Sequence, residues 1–363
     1  MNNSNKKGGL FAGVLMGIIM LIGGTVFLWW NEGNNVRNIK TTDEIEKTVI
    51  EIAADSNPAD SEGKLVATGG AFIVEDVSLS DTSFGVSVHT AALSRVVEIY
   101  QWEEEEHSDD DGTSYTYDKV WREGLIDSSR FHHESGHQNP SSVDYRSDAE
   151  YAENVTMGSF RLSSKQIQQM DTDKALSPSE VKKIPEGYKA SGEYVTNSAD
   201  LDKPQIGDVR ITWKYNDWKE VSVVAQVSGT TFVSWTSEVG KKVNWVSGGL
   251  KTAAEMIEDM RSQDKLMKWL FRLIGFILIF FGYLSLISPL TKLLGYIPFL
   301  GSVVNGLFAL VLFLLAIVHA LIVIIIAWFR YRPILCIGLI AVVVVAVVLI
   351  FALKKKKPAV QAA

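Results

Sequence analysis

The sequence predicts a polytopic α-helical membrane protein: four transmembrane helices and a large extracytoplasmic α+β domain rich in antiparallel β-strands. Three observations predict it. Charge is partitioned along the chain, four long apolar runs lie where acids are missing, and a strand-like alternation occupies the stretch between the first run and the others. The 363 residues carry 42 acids and 35 bases, a formal net charge of −7, and 47% are hydrophobic. Every Asp and Glu falls between Glu32 and Asp264. Twelve bases lie outside that window, which leaves 23 bases against 42 acids inside it, a net of −19. A uniform soluble globule does not segregate charge in this way. The acidic polar region would repel phosphate, so nucleic acid is not an expected partner. Cys336 is the only cysteine, which rules out an internal disulfide framework.

The first run, 8–30, is uncharged and closes on Trp29-Trp30. About 20 apolar residues cross the hydrocarbon core, and Trp favours its interface. Lys6 and Lys7 precede it as in a signal peptide. The run is longer than the usual apolar core of about 7–15 residues, and no small-x-small cleavage site follows, so it reads as an uncleaved anchor. A juxtamembrane stretch and second span take 266–290, a loop 291–302, a third span 303–329, a short outer loop 330–333 and a fourth span 334–353. Lys354 to Lys357 open a basic tail, 354–363, and residues 1–7 form a short N-terminus. Helices are required because lipid cannot satisfy exposed backbone groups. With both termini cytoplasmic, Lys6, Lys7, Lys292 and the four tail lysines lie inside. Lys265, Lys268, Arg272, Arg330 and Arg332 then lie outside, and seven against five favours this orientation. Lys265, Lys268 and Arg272 would meet anionic lipid at headgroup level.

The domain, 31–265, opens with a short helix, where Thr41 and Glu44 make a capping box and Ile45, Val49 and Ile52 share a face. A turn at Asn57 to Gly63 leads into a strand from Lys64 to Val74, with Gly69-Gly70 suggesting a bulge or bend. Leu93 to Glu106 and Ser114 to Trp121 form a β-hairpin with an acidic tip. Asp109 to Gly112 lacks the ligand spacing of a calcium loop and reads as a solvated turn. Ser163, Ser164 and Gln166 start a helix. Asp208–Trp218 and Glu220–Val227 read as two strands around Tyr215-Asn216-Asp217, Thr230–Thr236 as another, and a helix opens at Ser247-Gly248-Gly249. His132, His133 and His137 cluster in a segment broken by Gly136 and Pro140. They are weak metal candidates without helical zinc spacing, and no cofactor is expected.

With these segments in place the chain resembles the LUMA family, also called transmembrane protein forty-three, over nearly its whole length. The likeness rests on Asn31-Glu32-Gly33 after the first span, Glu62 to Val66, and Arg95, Val97, Glu98, Tyr100, Gln101 and Trp102. Tyr115, Tyr117 and Trp121 follow, then Phe131 through His137, Asn139 and Pro140, then Gly207-Asp208-x-Arg210 and Tyr331-Arg332-Pro333. The resemblance implies a lumenal or periplasmic domain, cytosolic termini, self-association and an organising role, with lamins and emerin as partners in eukaryotes. A short N-terminus and a single sequon in the domain, Asn154-Val155-Thr156, point to a bacterial member in the inner membrane, with its domain in the periplasm. The alternative location is the endoplasmic reticulum and inner nuclear membrane.

The expected function is therefore a non-enzymatic, homo-oligomeric membrane scaffold whose partners are the bilayer, itself and other membrane proteins. Its candidate motif surface is Arg95, Glu98, Tyr100, Gln101, Trp102, Trp121, His137, Asn139 and Pro140. No nucleophile elbow or phosphate loop appears. One alternative is a hydrolase or metal-dependent enzyme using Arg95, Glu98 and His137. Residues 95 and 98, three apart, should face opposite sides of a regular strand. A second alternative is a channel or transporter component built on His319, with Asn305 and Ser302 near the cytoplasmic end of the same segment.

Overall fold

The computed structural model describes residues 3–76, 78–109, 112–294, 301–334, 336–338 and 345. It divides into a helical unit, Met1–Thr42 with Met260–Ala363, and a β-rich unit, Asp43–Asp259.

In chain order the principal elements are helix α1 (Asn3–Thr48), strands β1 (Leu65–Val74), β2 (Ala92–Asp109), β3 (Gly112–Glu123), β4 (Asp148–Tyr151) and β5 (Val155–Met157). Then come helix α2 (Ser164–Ile167), strands β6 (Tyr194–Thr196), β7 (Val209–Tyr215), β8 (Glu220–Ser228), β9 (Thr231–Val233) and β10 (Trp245–Gly248), and helices α3 (Ala253–Leu294) and α4 (Gly301–Tyr331).

Among the described residues three helices are long and apolar enough to cross a membrane: Gly13–Thr48, Ala253–Ile287 and Leu307–Tyr331. Leu15, Ile19, Ile22 and Val26 of α1, and Leu310, Leu314, Val318, Leu321 and Ile325 of α4, leave apolar stripes exposed. Such stripes suit a hydrocarbon solvent. The predicted fourth span falls largely outside the described residues, as do the tail lysines. Inside the unit, glycines let α1 and α3 meet backbone to backbone. A Cβ at Gly17 would lie 2.9 Å from the Gly282 carbonyl oxygen, and one at Gly24 would lie 3.0 Å from that of Gly275. Both pairs are spaced by seven residues, two helical turns, so one face of each helix repeats the close approach.

In the β-rich unit two sheets share one core. In the first, β1 pairs with β5 at one end and with β8 along most of its length, β8 pairs with β9 and β10, and a short 160–161 strand links β9 to β5. Its pairings therefore run round a closed circuit. In the second sheet the order β6–β7–β2–β3 is antiparallel throughout, with β4 on the start of β2. Leu93, Val97 and Ile99 of β2 and Ile211 and Trp213 of β7 join Val66, Val221, Val223 and Phe232 of the first sheet in the core. Alternation is strict, and the odd-numbered positions of β2 point inward.

Three sequence expectations need correction. The predicted helix at 41–52 does not start at Thr41: α1 runs unbroken through it to Thr48, and Thr42 Oγ1 bonds back to the Asn38 and Ile39 carbonyl oxygens. Continuing a helix avoids a costly new nucleus. Gly69-Gly70 makes no bulge, since Ser222↔Gly69 and Val221↔Gly70 continue an unbroken register. The glycines are needed for space: a Cβ at 69 would fall 2.6 Å from Ser222 Oγ, and one at 70 would fall 2.9 Å from Ala54 Cβ. The two strands read around Tyr215-Asn216-Asp217 are both present but in different sheets, the chain crossing there from one to the other. Buried Asn216 fixes the crossing, donating from Nδ2 to the Asp171 carbonyl oxygen at 2.8 Å and accepting from Thr90 Oγ1 at 2.7 Å on its own carbonyl. Lastly, residues 245–248 are strand, and α3 begins after Thr252, whose hydroxyl and N–H exchange hydrogen bonds with Glu255.

The hairpin is longer than its sequence pattern predicts. Pairing runs from Glu98↔Glu123 to Asp109↔Gly112, while β7 covers β2 only up to Ile99. Residues 100–109 and 112–122 therefore extend past the sheet as a two-stranded arm.

Candidate functional site

The even-numbered residues of β2 and the odd-numbered residues of β3 share the arm's outer face. At its root, Arg210 Nε donates to Glu98 Oε2 at 2.7 Å, and the guanidinium lies 4.6 Å from the Trp121 ring and 4.8 Å from that of Tyr194. Tyr100 packs on Trp121, with ring centroids 5.3 Å apart. One step outward, Lys119 sits 4.7 Å over Trp102. Then come stacked pairs, Tyr117 on His137 at 3.8 Å and Tyr115 on His132 at 4.2 Å, with Trp102 edge-on to His137. Cations and aromatics thus alternate along one face, each contact of a kind that adds roughly 0.5–1 kcal/mol at exposed sites.

The segment 124–140 is tied to this arm by two carboxamides. Buried Gln101 donates to the Gly124 carbonyl at 2.6 Å and the Arg122 carbonyl at 3.4 Å, and accepts from the Ile126 N–H at 2.9 Å. Asn139 accepts from the Trp102 N–H at 2.7 Å and donates to the Trp102 and Ile126 carbonyls. Glu104 accepts from the Tyr117 hydroxyl and the His132 N–H, both at 2.5 Å. Partial burial opposes ionisation of Glu104, but these hydrogen bonds outweigh it and hold its carboxyl below the ordinary value. Burial, reinforced by Glu104, pushes the Tyr117 phenol upward. His137 Nδ1 is 2.9 Å from the His133 carbonyl oxygen. Among the described residues no group of three or more His, Cys, Asp or Glu is placed to hold a metal ion.

Arg95 and Glu98 lie on opposite faces, as their spacing predicts. Arg95 turns inward to Asp81, 2.6 Å away, which also accepts from Trp213 Nε1 at 2.9 Å. Arg95, Glu98 and His137 therefore each have different partners. Sequence reading found neither Asp81 nor Tyr194, because nothing local marks a partner that lies far away in the chain.

A family model described as Transmembrane protein 43 matches residues 99–333, well over half of the chain. The chain belongs to the transmembrane protein 43 family. Among its relatives is a Drosophila melanogaster protein named Transmembrane protein 43 homolog, 27% identical, with 88% of this chain and 89% of the relative aligned. The human Transmembrane protein 43 is 28% identical over 91% of this chain and 86% of its own length, and the mouse protein is 27% identical over the same shares. No solved structure matches the chain.

The transmembrane protein 43 match begins at the root of the arm and ends just past α4. In the helical unit, Glu32 is fully buried, accepting from Arg272 Nε at 2.7 Å and Trp328 Nε1 at 2.8 Å. One carboxylate thus joins α1, α3 and α4. Asn31 Nδ2 donates to the Lys268 carbonyl at 3.1 Å, and Trp29 packs on Tyr331. Arg272, predicted as a lipid contact, bonds inward to Glu32, while Lys265 is exposed and Lys268 half-buried.

Deeper in the unit, His319 of α4 bonds to both other spans. Its Nε2 is 3.1 Å from Thr25 Oγ1 and its Nδ1 is 3.0 Å from the Tyr283 hydroxyl. Thr25 gives its one hydroxyl proton to the Leu21 carbonyl, 2.6 Å away, so it can only accept from His319. A neutral imidazole satisfies both contacts as the Nε2–H tautomer, donating to Thr25 and accepting from Tyr283 on Nδ1. This is a hydrogen-bonded tie between helices, as expected of polar side chains in lipid. The side chains of Asn305 and Ser302 lie outside the described residues.

Proposed function

We propose that the chain is a non-enzymatic, self-associating membrane scaffold. Its helical unit anchors and assembles it, and its β-rich unit engages other membrane proteins through the arm. One observation carries this reading: the residues that mark the family motif, Tyr100, Gln101, Trp102, Trp121, His137 and Asn139, are those that build and brace the arm. Their hydrogen bonds go to main chain and their rings to one another, which is the chemistry of a fixed shape presented outward. The arm's outer edge is the side of β3 that pairs with no strand among the described residues, and free strand edges are ready templates for another chain. On the neighbouring strand β2, Glu105 and Glu106 are exposed toward the tip, which favours a basic partner segment.

In this reading four spans keep both termini cytoplasmic and place the domain in the periplasm of a bacterial inner membrane or, in a eukaryote, in the lumen. Cross-linking in native membranes, read by mass spectrometry, tests the arm. The full chain should yield recurrent partners joined at 103–119. A variant with 104–117 replaced by Asn-Gly should retain its fold and lose at least nine-tenths of those adducts. Unchanged adducts in the shortened chain would remove the arm from the proposal.

A further inference from the structure

We propose that Lys265 and Lys268 of α3, with Arg332 just beyond α4, form a binding site for the phosphate of an anionic phospholipid headgroup. Arg272 of α3 and Trp328 of α4 share the Glu32 carboxylate, and Arg332 lies one helical turn beyond Trp328, its N–H donating to the Trp328 carbonyl at 2.7 Å. Arg272, Arg332 and Lys265 all act electrostatically on Lys268, opposed by Glu32. Glu32 is buried and already engaged by Arg272 and Trp328. The nearest acid along α3, Asp264, accepts from Asn38 at 2.5 Å, about a helical turn further from the apolar span than Lys268. Four cations around one internally bonded carboxylate leave a local positive excess, and Lys265 is exposed at its edge.

The surroundings specify a lipid. Trp269 lies against this group, 4.8 Å from the Arg272 guanidinium and 5.8 Å from Lys268 Nζ. Tryptophan beside cations marks the headgroup level of a bilayer. Immediately beyond it, Leu266, Leu270, Leu273, Ile274 and Ile277 are exposed apolar side chains along α3, as are Phe329 and Ile334 near Arg332. An acyl chain can lie on that surface while its phosphate meets the cations. A free phosphate has no use for the apolar part.

Native mass spectrometry of the full chain in detergent, with equimolar phosphatidylglycerol and phosphatidylcholine of matched chains, tests the proposal. Phosphatidylglycerol should be retained in clear preference. Arg332→Gln should reduce that preference about fivefold, and Lys265→Gln/Lys268→Gln/Arg332→Gln about fivefold for each charge removed. The charge-keeping variant Lys265→Arg/Lys268→Arg should keep it, which separates loss of the site from loss of the fold. Equal retention of both lipids by the wild type would overturn the proposal. So would displacement of the lipid by millimolar inorganic phosphate, or a loss that follows glutamine substitution of Lys354 to Lys357 instead.

Discussion

Glu32→Ala is expected to destabilise the helical unit by about 3–5 kcal/mol, the loss associated with breaking a buried ion pair from one side. The substitution leaves Arg272, only 15% exposed, without its carboxylate, and leaves the Trp328 N–H without its acceptor. Three helices are joined at this point, so the loss should appear as one cooperative drop in thermal midpoint in detergent. Glu32→Gln can still accept from one neighbour and should fall in between. The informative control is Glu32→Leu/Arg272→Leu. Replacing both partners with apolar side chains removes the stranded charge, so the double variant should be more stable than Glu32→Leu alone. Additive losses would mean that the two side chains do not share one interaction.

Gln101→Ala should lower the stability of the β-rich unit by about 2–4 kcal/mol, since polar groups left unpaired around a buried side chain cost about 1–3 kcal/mol. Gln101 is itself fully buried, and three main-chain groups of exposed or half-buried residues bond to its carboxamide: the Ile126 N–H and the Gly124 and Arg122 carbonyls. The effect should also be local. Amide exchange should accelerate first around Gly124 to Ile126, because Asn139 and the Glu104–His132 bond would still hold the rest of the segment to the arm, while β8 at the sheet centre keeps its protection. Uniform acceleration throughout the unit would place Gln101 in the general core instead of at the root of the arm.

The sequence made some of this legible and hid the rest for physical reasons. The apolar runs of the first three helices were readable because lipid demands long uncharged segments, and the hairpin because alternation and a polar turn are local signals. Opposite faces for Arg95 and Glu98 followed from strand geometry alone. Their partners Asp81 and Arg210 did not, since each pairing joins residues that only the fold brings together. The two strands around Asn216 were legible but their sheets were not, because a short polar break looks the same whether the next strand pairs back or leaves. Gly69 and Gly70 signalled an irregularity in sequence and mark a close approach in space. The seven-residue spacing of Gly17 with Gly24 and of Gly275 with Gly282 was present all along and gains meaning only when the two helices face each other. At the candidate site, Tyr100, Trp102, Trp121 and His137 were identified from motif residues. Their alternation with Arg210 and Lys119 needed the register of three strands.

The scaffold reading is tested most directly by the mass of the full chain in mild detergent, measured by light scattering after size-exclusion chromatography. A discrete oligomer, stable on dilution, is the predicted result. A strictly monomeric chain at every concentration would contradict it.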